Sequence, residues 1–282
     1  FTGLVRNGGA ASLSMVKTGS GTQSLDNANT FTGTVSISGG TLSTNSLANG
    51  GSASGIGASS STPANLSLNG GTLRYTGGTA STDRRFELGP NGGTLDASGT
   101  GAVTFAATND LSFTAAAGAR TLTLTGTSTA ANTLAARIVD GSSATSLVKD
   151  GSGTWALTNS NTYTGGTSLN AGVLSISSSN AIGSGSVTFA GGVLQTTHSM
   201  SIGTNLVVNN ASNGVTVSTG VLTINGAISG SFPLYKDGPG RLIIARTSHT
   251  VPTVVQSGTV QGSAATAGSS IALSTPAAVF EF

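Results

Sequence analysis

Residues 15–43, MVKTGSGTQSLDNANTFTGTVSISGGTLS, return at 147–175 as LVKDGSGTWALTNSNTYTGGTSLNAGVLS. Lys17 and Lys149, Gly19 and Gly151, Asn29 and Asn161, and Leu42 and Leu174 are each 132 positions apart, so the two segments are ungapped copies of one unit. A third copy at 234–260 keeps the K-x-G-x-G phrase as Lys236, Gly238 and Gly240, lacks the Asn pair and the aromatic, and needs a one-residue deletion to align Gly258. A shorter phrase recurs as Gly39–Leu42, Gly70–Leu73, Gly92–Leu95 and Gly191–Leu194. Units this small cannot each bury a core alone, so the chain reads as an array whose neighbours cover one another.

Inside the units the apolar residues alternate. Trp155 and Leu157 point one way and Ala156 and Thr158 the other, and Leu174 with Ile176 and Leu122 with Leu124 repeat the pattern. A period of two means strand. The strands are short and end at Gly, Asn or Ser-Gly, and the Ala-rich pieces 115–119 and 130–136 are the only candidates for helix. Units that repeat strand and turn in the same order favour coils stacked in register over hairpins, with neighbouring coils about 4.8 Å apart. In such a stack Leu is expected over Leu, Thr over Thr and Asn over Asn. The fold expected is all-β, a parallel β-helix (β-solenoid) forming a single elongated domain over 1–282, with roughly a dozen coils of about 20–25 residues each. The Gly-, Ser- and Ala-rich stretch 46–64 is expected to be a loop insertion, because Gly57 to Gly70 is thirteen positions where Gly183 to Gly191 is eight.

Composition agrees with stacking. Only 7% of residues are charged, and 43 of 282 are Gly. Like charges directly above one another repel, so a parallel stack tolerates few. With 37% hydrophobic residues the chain has enough apolar surface to fold. A net charge of +2 is too small for nucleic-acid binding, which needs clustered Lys and Arg. No Cys is present, which removes disulfides and thiolate metal sites and suits an exported chain. No apolar run is long enough to span a bilayer as a helix. No charged leader stands at Phe1, so a signal has been removed or the chain is part of something longer.

Asn159 and Asn161, like Asn27 and Asn29, fall at the bend after a strand, where an amide can bond its own backbone and the equivalent amide of the neighbouring coil. Phe31 and Tyr163 occupy one slot and are expected to be interior plugs.

The series L-x-K-x-G-x-G, a later Leu, then N-T-Y/F-T-G and a closing x-G-x-L strand resembles the autotransporter-associated β-strand repeat of secreted bacterial surface proteins. It is carried by Lys17, Gly19, Gly21, Leu25, Asn29, Phe31, Gly33 and Leu42, again by Leu147, Lys149, Gly151, Gly153, Leu157, Asn161, Tyr163, Gly165 and Leu174, and weakly by the third copy. The resemblance implies a right-handed parallel β-helix displayed at the bacterial cell surface or released outside the cell.

The residues offer little chemistry. The acids include no Asp-Asp pair or D-x-D from which two facing carboxylates of a glycosidase could be drawn. In the densest charged stretch, Asp83-Arg84-Arg85-Phe86-Glu87, alternation puts Asp83, Arg85 and Glu87 on one face, a lyase-like set in one reading and a salt-bridged ladder or loop in the plainer one. His198 and His249, the two histidines, are expected at the surface, with no G-x-S-x-G nucleophile context nearby. No metal motif is present and no cofactor is expected. Thr121, Thr123 and Thr125 form a single T-x-T-x-T, read as β-propensity on an exposed face.

Function is therefore expected from shape, without catalysis. Neither 1–13 nor 271–282 resembles the polar cap of a solenoid, and Ile271, Leu273, Val279, Phe280 and Phe282 form an apolar terminal segment. Open ends favour non-closing self-contact. The expectation is an extracellular filament subunit or adhesin stalk whose partner is a second copy of itself, with host or surface glycans as further partners; a polysaccharide-active enzyme on the same scaffold is the rival.

Overall fold

The computed structural model describes residues 3–245, 249–262 and 270–281. Among these it holds short strands, one 3-10 turn at Pro63–Asn65 and no α-helix. The strands stack in parallel as a β-solenoid, and one turn of the coil is called a rung below. The chain divides into two compact units, 1–147 with 151–155, and 148–150 with 156–282.

In the first unit one ladder runs through Met15–Lys17, Val35–Ile37, Leu66–Leu68, Glu87–Leu88 and Ser112–Phe113. A second runs through Thr22–Ser24, Thr41–Thr44, Thr72–Tyr75, Gly93–Ala97 and Arg120–Thr125, and a third through Ala80–Thr82, Val103–Phe105 and Asn132–Leu134. Register follows residue type. Leu42, Leu73, Leu95 and Leu124 stand over one another with at most 2% of their surface exposed. On the opposite side of the same strands Thr22, Thr41, Thr72, Thr94 and Thr123 make an outward column. Alternation thus becomes two vertical columns, one dry and one wet.

The second unit repeats the plan. Leu169, Phe189 and Val208 form one inward column. Leu174, Leu194, Val215, Lys236 and Val255 form another, which ends at the exposed Leu273, and Met200, Leu222, Leu242, Val260 and Phe280 a third. Burying each Leu here contributes about 1.5–3 kcal/mol.

Residues 46–64 contain no strand, yet Leu47, Ser54, Ile56 and Ser59 within them are buried. The Ala-rich piece at 130–136 is not helical either; its middle is the strand Asn132–Leu134.

Candidate functional site

The three repeat lysines share one geometry. The alternation that buries Leu147 also buries Lys149, and that which buries Leu234 buries Lys236. Lys17 pairs with Ile37, and Lys236 lies between Val215 and Val255. The four-carbon stem fills a place that leucine fills elsewhere, and the ammonium reaches on to the turn that follows. Lys236 Nζ donates to the carbonyls of Asp237 at 3.0 Å, Gly238 at 2.7 Å and Ser257 at 3.0 Å. Lys17 Nζ donates to Thr18 at 2.7 Å, Gly19 at 3.1 Å and Gly39 at 3.1 Å, and Lys149 Nζ to Asp150 at 2.8 Å and Ala171 at 3.0 Å. Two carbonyls of the lysine's own turn and one from the next rung thus meet a three-hydrogen donor.

Lys149 and Lys236 are wholly buried. Burial lowers both to about 8, and the nearby Asp150 and Asp237 carboxylates only partly oppose it. The clamp also explains the glycine one rung on. At Gly40 (φ 60°) a Cβ would stand 2.7 Å from Lys17 Nζ, and at Gly258 (φ 72°) 2.9 Å from Lys236 Nζ. Neither the left-handed backbone nor the space admits a side chain.

The Asn–aromatic turn makes a second link between rungs. Asn29 donates through Nδ2 to Gly55 O at 3.2 Å and accepts from Val5 N at 2.8 Å, and Asn161 donates to Ala181 O at 2.5 Å. The rings of Phe31 and Tyr163 are fully buried. Each packs against a glycine of the next rung, Gly57 and Gly183, where a Cβ would fall 2.7 Å and 2.9 Å from ring carbons. The expected Asn-over-Asn amide ladder is not formed. The adjacent rung instead offers Asn29 the backbone of Gly55-Ile56-Gly57, and Asn161 that of Ala181-Ile182-Gly183. Lys17, Lys149 and Lys236 likewise belong to strands of three different ladders.

His249 is also not where it was expected. It is buried, with 7% of its surface exposed, and its Nε2 lies 3.2 Å from Thr253 Oγ1. His198 is exposed, with Nδ1 3.0 Å from Thr197 Oγ1.

The stretch 83–87 does not converge on one site. Asp83 accepts from Gly50 N at 2.7 Å. Arg84, buried at 3% exposure, donates to Ser59 Oγ at 2.9 Å and to the carbonyls of Gly57 at 2.7 Å and Ser52 at 3.3 Å, so Asp83 and Arg84 both fasten residues 46–64. Arg85 turns instead to Asp110 O and Ser112 Oγ, each at 3.3 Å. Arg120 is a further inward cation that nothing singled out; it donates to the carbonyls of Gly118, Thr114 and Ala116, and its guanidinium lies 4.9 Å from the centre of the Phe113 ring. Its signal was available, since Arg120, Leu122 and Leu124 share parity in the strand. Among the described residues no group of three or more His, Cys, Asp and Glu is placed to hold a metal, and no helix is long and apolar enough to cross a membrane.

At the strand edges, Val16 is 65% exposed beside an open groove of about 530 Å³ lined by Val5, Met15, Lys17 and Leu25. Ile271–Leu273 and Ala278–Glu281 are outermost in their ladders; Leu273 and Val279 are exposed, whereas Ile271 and Phe280 are half-buried. Arg241 Nη2 pairs with Glu281 Oε2 at 2.7 Å. Phe282 lies outside the described residues.

In this parallel solenoid the turns of the repeats are closed by Lys–carbonyl clamps and Asn–aromatic plugs. Residues 15–43 and 147–176 match the passenger-associated-transport-repeat family model. The chain is 46% identical over 158 residues to the adhesin BmaC autotransporter of Brucella suis biovar 1 (strain 1330), a match covering 55% of this chain and 4% of that protein. The chain thus spans a small fraction of the curated relative it matches. No solved structure matches it. The chain carries autotransporter-type passenger repeats, and its place is the cell surface or the extracellular space.

Proposed function

We propose that this chain is a non-enzymatic stalk segment of a bacterial surface adhesin, which holds a binding region away from the cell. The observation that carries the reading is the use made of the buried cations: Lys149, Lys236, Arg84 and Arg120 all direct their charge to backbone carbonyls that fasten turns and loops. The relative's description as an adhesin autotransporter supports it. In the same reading the outermost strands Met15–Lys17, Thr22–Ser24, Ile271–Leu273 and Ala278–Glu281 take up a further extended strand by main-chain pairing, from a second copy of this chain where the protein forms filaments.

Display of this segment fused to an unrelated binding domain on cells tests the stalk role. Binding to immobilised ligand should fall when the segment is deleted and return when an unrelated rod of equal length replaces it. Turnover of acidic or neutral glycans by the purified chain, lost in Arg85→Ala, would instead establish an enzyme. Filaments in electron micrographs that disappear in Val279→Lys would support self-pairing, and monomers at millimolar concentration would remove it.

A further inference from the structure

The third repeat hides a substitution. Tyr163 Oη meets Thr167 Oγ1 at 2.5 Å, four residues on, both side chains being buried. His249 Nε2 meets Thr253 Oγ1 at 3.2 Å, again four residues on and buried. The offset from Tyr163 to His249 and from Thr167 to Thr253 is 86, as it is from Gly172 to Gly258. The deletion that separates this offset from the 87 between Lys149 and Lys236 therefore lies before the plug. The slot filled by Phe31 in the first copy and Tyr163 in the second is filled by an imidazole in the third, and the aromatic is replaced where the sequence suggested it was lost.

We propose that His249 is an acid-sensitive plug: neutral, it closes the turn of the third repeat as Tyr163 closes that of the second, and its protonation opens that turn. An imidazolium in this slot is a buried charge with a neutral hydroxyl as its side-chain partner, which is disfavoured unless the group moves to water. Among the described residues no carboxylate stands by to compensate. Ile228–Gly230, which bridges to His249 through Ile228, carries no titratable side chain, nor do Thr253–Val255 and Ile271–Leu273. The neighbouring strand Leu234–Asp237 carries Tyr235, Lys236 and Asp237; Lys236 is engaged with its three carbonyls, and Asp237 Oδ1 accepts from Ser257 Oγ at 2.6 Å. Burial holds the His249 ring below the usual histidine value of 6.5, with a backbone hydrogen bond at Val251 opposing. The folded state therefore binds the proton less readily than the open state. The stabilisation is complete above pH 6.5 and falls as pH drops below it. The same feature limits the switch to the third repeat, since Phe31 cannot titrate and burial raises the Tyr163 hydroxyl far above neutral pH.

Hydrogen exchange of the whole chain at pH 7.5 and 5.5, corrected for intrinsic rates, tests this. The opening equilibrium of the segment 249–255 should rise by up to about tenfold at the lower pH, the limit set by an open-state value near 6.5, while the segment 161–169 around Tyr163 stays unchanged. His249→Tyr should remove the difference. Independently, NMR titration of His249 in the unsubstituted chain should place it below the usual histidine value of 6.5, so the proposal stays testable if the variant does not fold. Equal pH responses of the parent and His249→Tyr, or titration of His249 at or above 6.5, would overturn it.

Discussion

Lys236 Nζ lies 3.0 Å from the carbonyl oxygen of Ser257, a residue one rung further along the chain. The link ties a charged side chain of one rung to the turn of the next, and the 3.1 Å contact from Lys17 to Gly39 and the 3.0 Å contact from Lys149 to Ala171 repeat it. The K-x-G-x-G phrase and the glycine of the following x-G-x-L phrase are thus two halves of one device, written some twenty residues apart.

Replacing Lys236 with Met keeps the stem and removes the donor. Three carbonyls then lose their partner, at about 1–3 kcal/mol for each group left buried and unpaired. Against this stands the several kcal/mol recovered by no longer desolvating an ammonium. The acceptor side is the larger sum, so Lys236→Met should destabilise the chain by about 1–3 kcal/mol in urea unfolding near neutral pH. An unchanged midpoint and slope would show that water replaces the ammonium at no cost.

The lysines also set a slope against pH. Burial takes Lys149 and Lys236 from 10.5 to about 8. Between about pH 8 and 10.5 the unfolded chain holds protons that the folded chain has released, so the contribution of these groups to stability rises with pH through that window and is level below it. Unfolding midpoints from pH 7 to 10.5 should show the rise in the parent and its absence in the Lys149→Met, Lys236→Met double variant. A parent whose stability stays level across the window would mean that the carbonyls hold the ammonium at least as strongly as burial opposes it.

Much of this was legible because a strand has a period of two. Alternation identified the buried parity at Leu42, Leu122, Leu174 and Trp155, and recurrence showed that rungs repeat in register. One failure arose because a sequence repeat does not name its spatial neighbour. Asn29 and Asn161 were each expected to meet an equivalent amide of the neighbouring coil, yet each meets the backbone of the adjacent rung. The charges were read only as the few that a parallel stack tolerates, although Lys149, Lys236 and Arg120 all stand on the buried parity of their strands. His249 was assigned to the surface by residue type, and only its distance from Thr253 and its burial reveal the slot it fills.

Arg84 should hold residues 46–64 in place. Its guanidinium donates to Ser59 Oγ and to the carbonyls of Gly57 and Ser52, and Thr82 Oγ1 and Asp83 Oδ1 add hydrogen bonds to Ala48 O and Gly50 N. Arg84→Met removes the guanidinium donors but keeps most of the stem, and Gly57 O then retains only Ser54 Oγ, at 2.8 Å. Local opening should then precede global unfolding. Limited proteolysis should cut first between residues 48 and 60 in the variant while the parent resists, and a second cleavage pattern shared by both would separate the loop from the core. Cleavage at equal rates in the two proteins would show that Leu47 and Ile56 hold the loop unaided.

The plug slot separates ring packing from the hydrogen bond at its tip. Tyr163→Phe gives the second repeat the ring of the first and removes only the Oη contact to Thr167. Thr167 Oγ1 keeps the Ile182 carbonyl at 3.2 Å, so the loss should be about 0.5–1.5 kcal/mol. Tyr163→Ala empties the slot against Gly183 and should cost about 3–5 kcal/mol, because the backbone there is already in contact with the ring and cannot collapse further into the gap. Chemical unfolding of both variants measures the difference directly. Similar losses for Phe and Ala would assign the role of this residue to its hydroxyl, and with it deny that Phe31 and Tyr163 act as equivalent plugs.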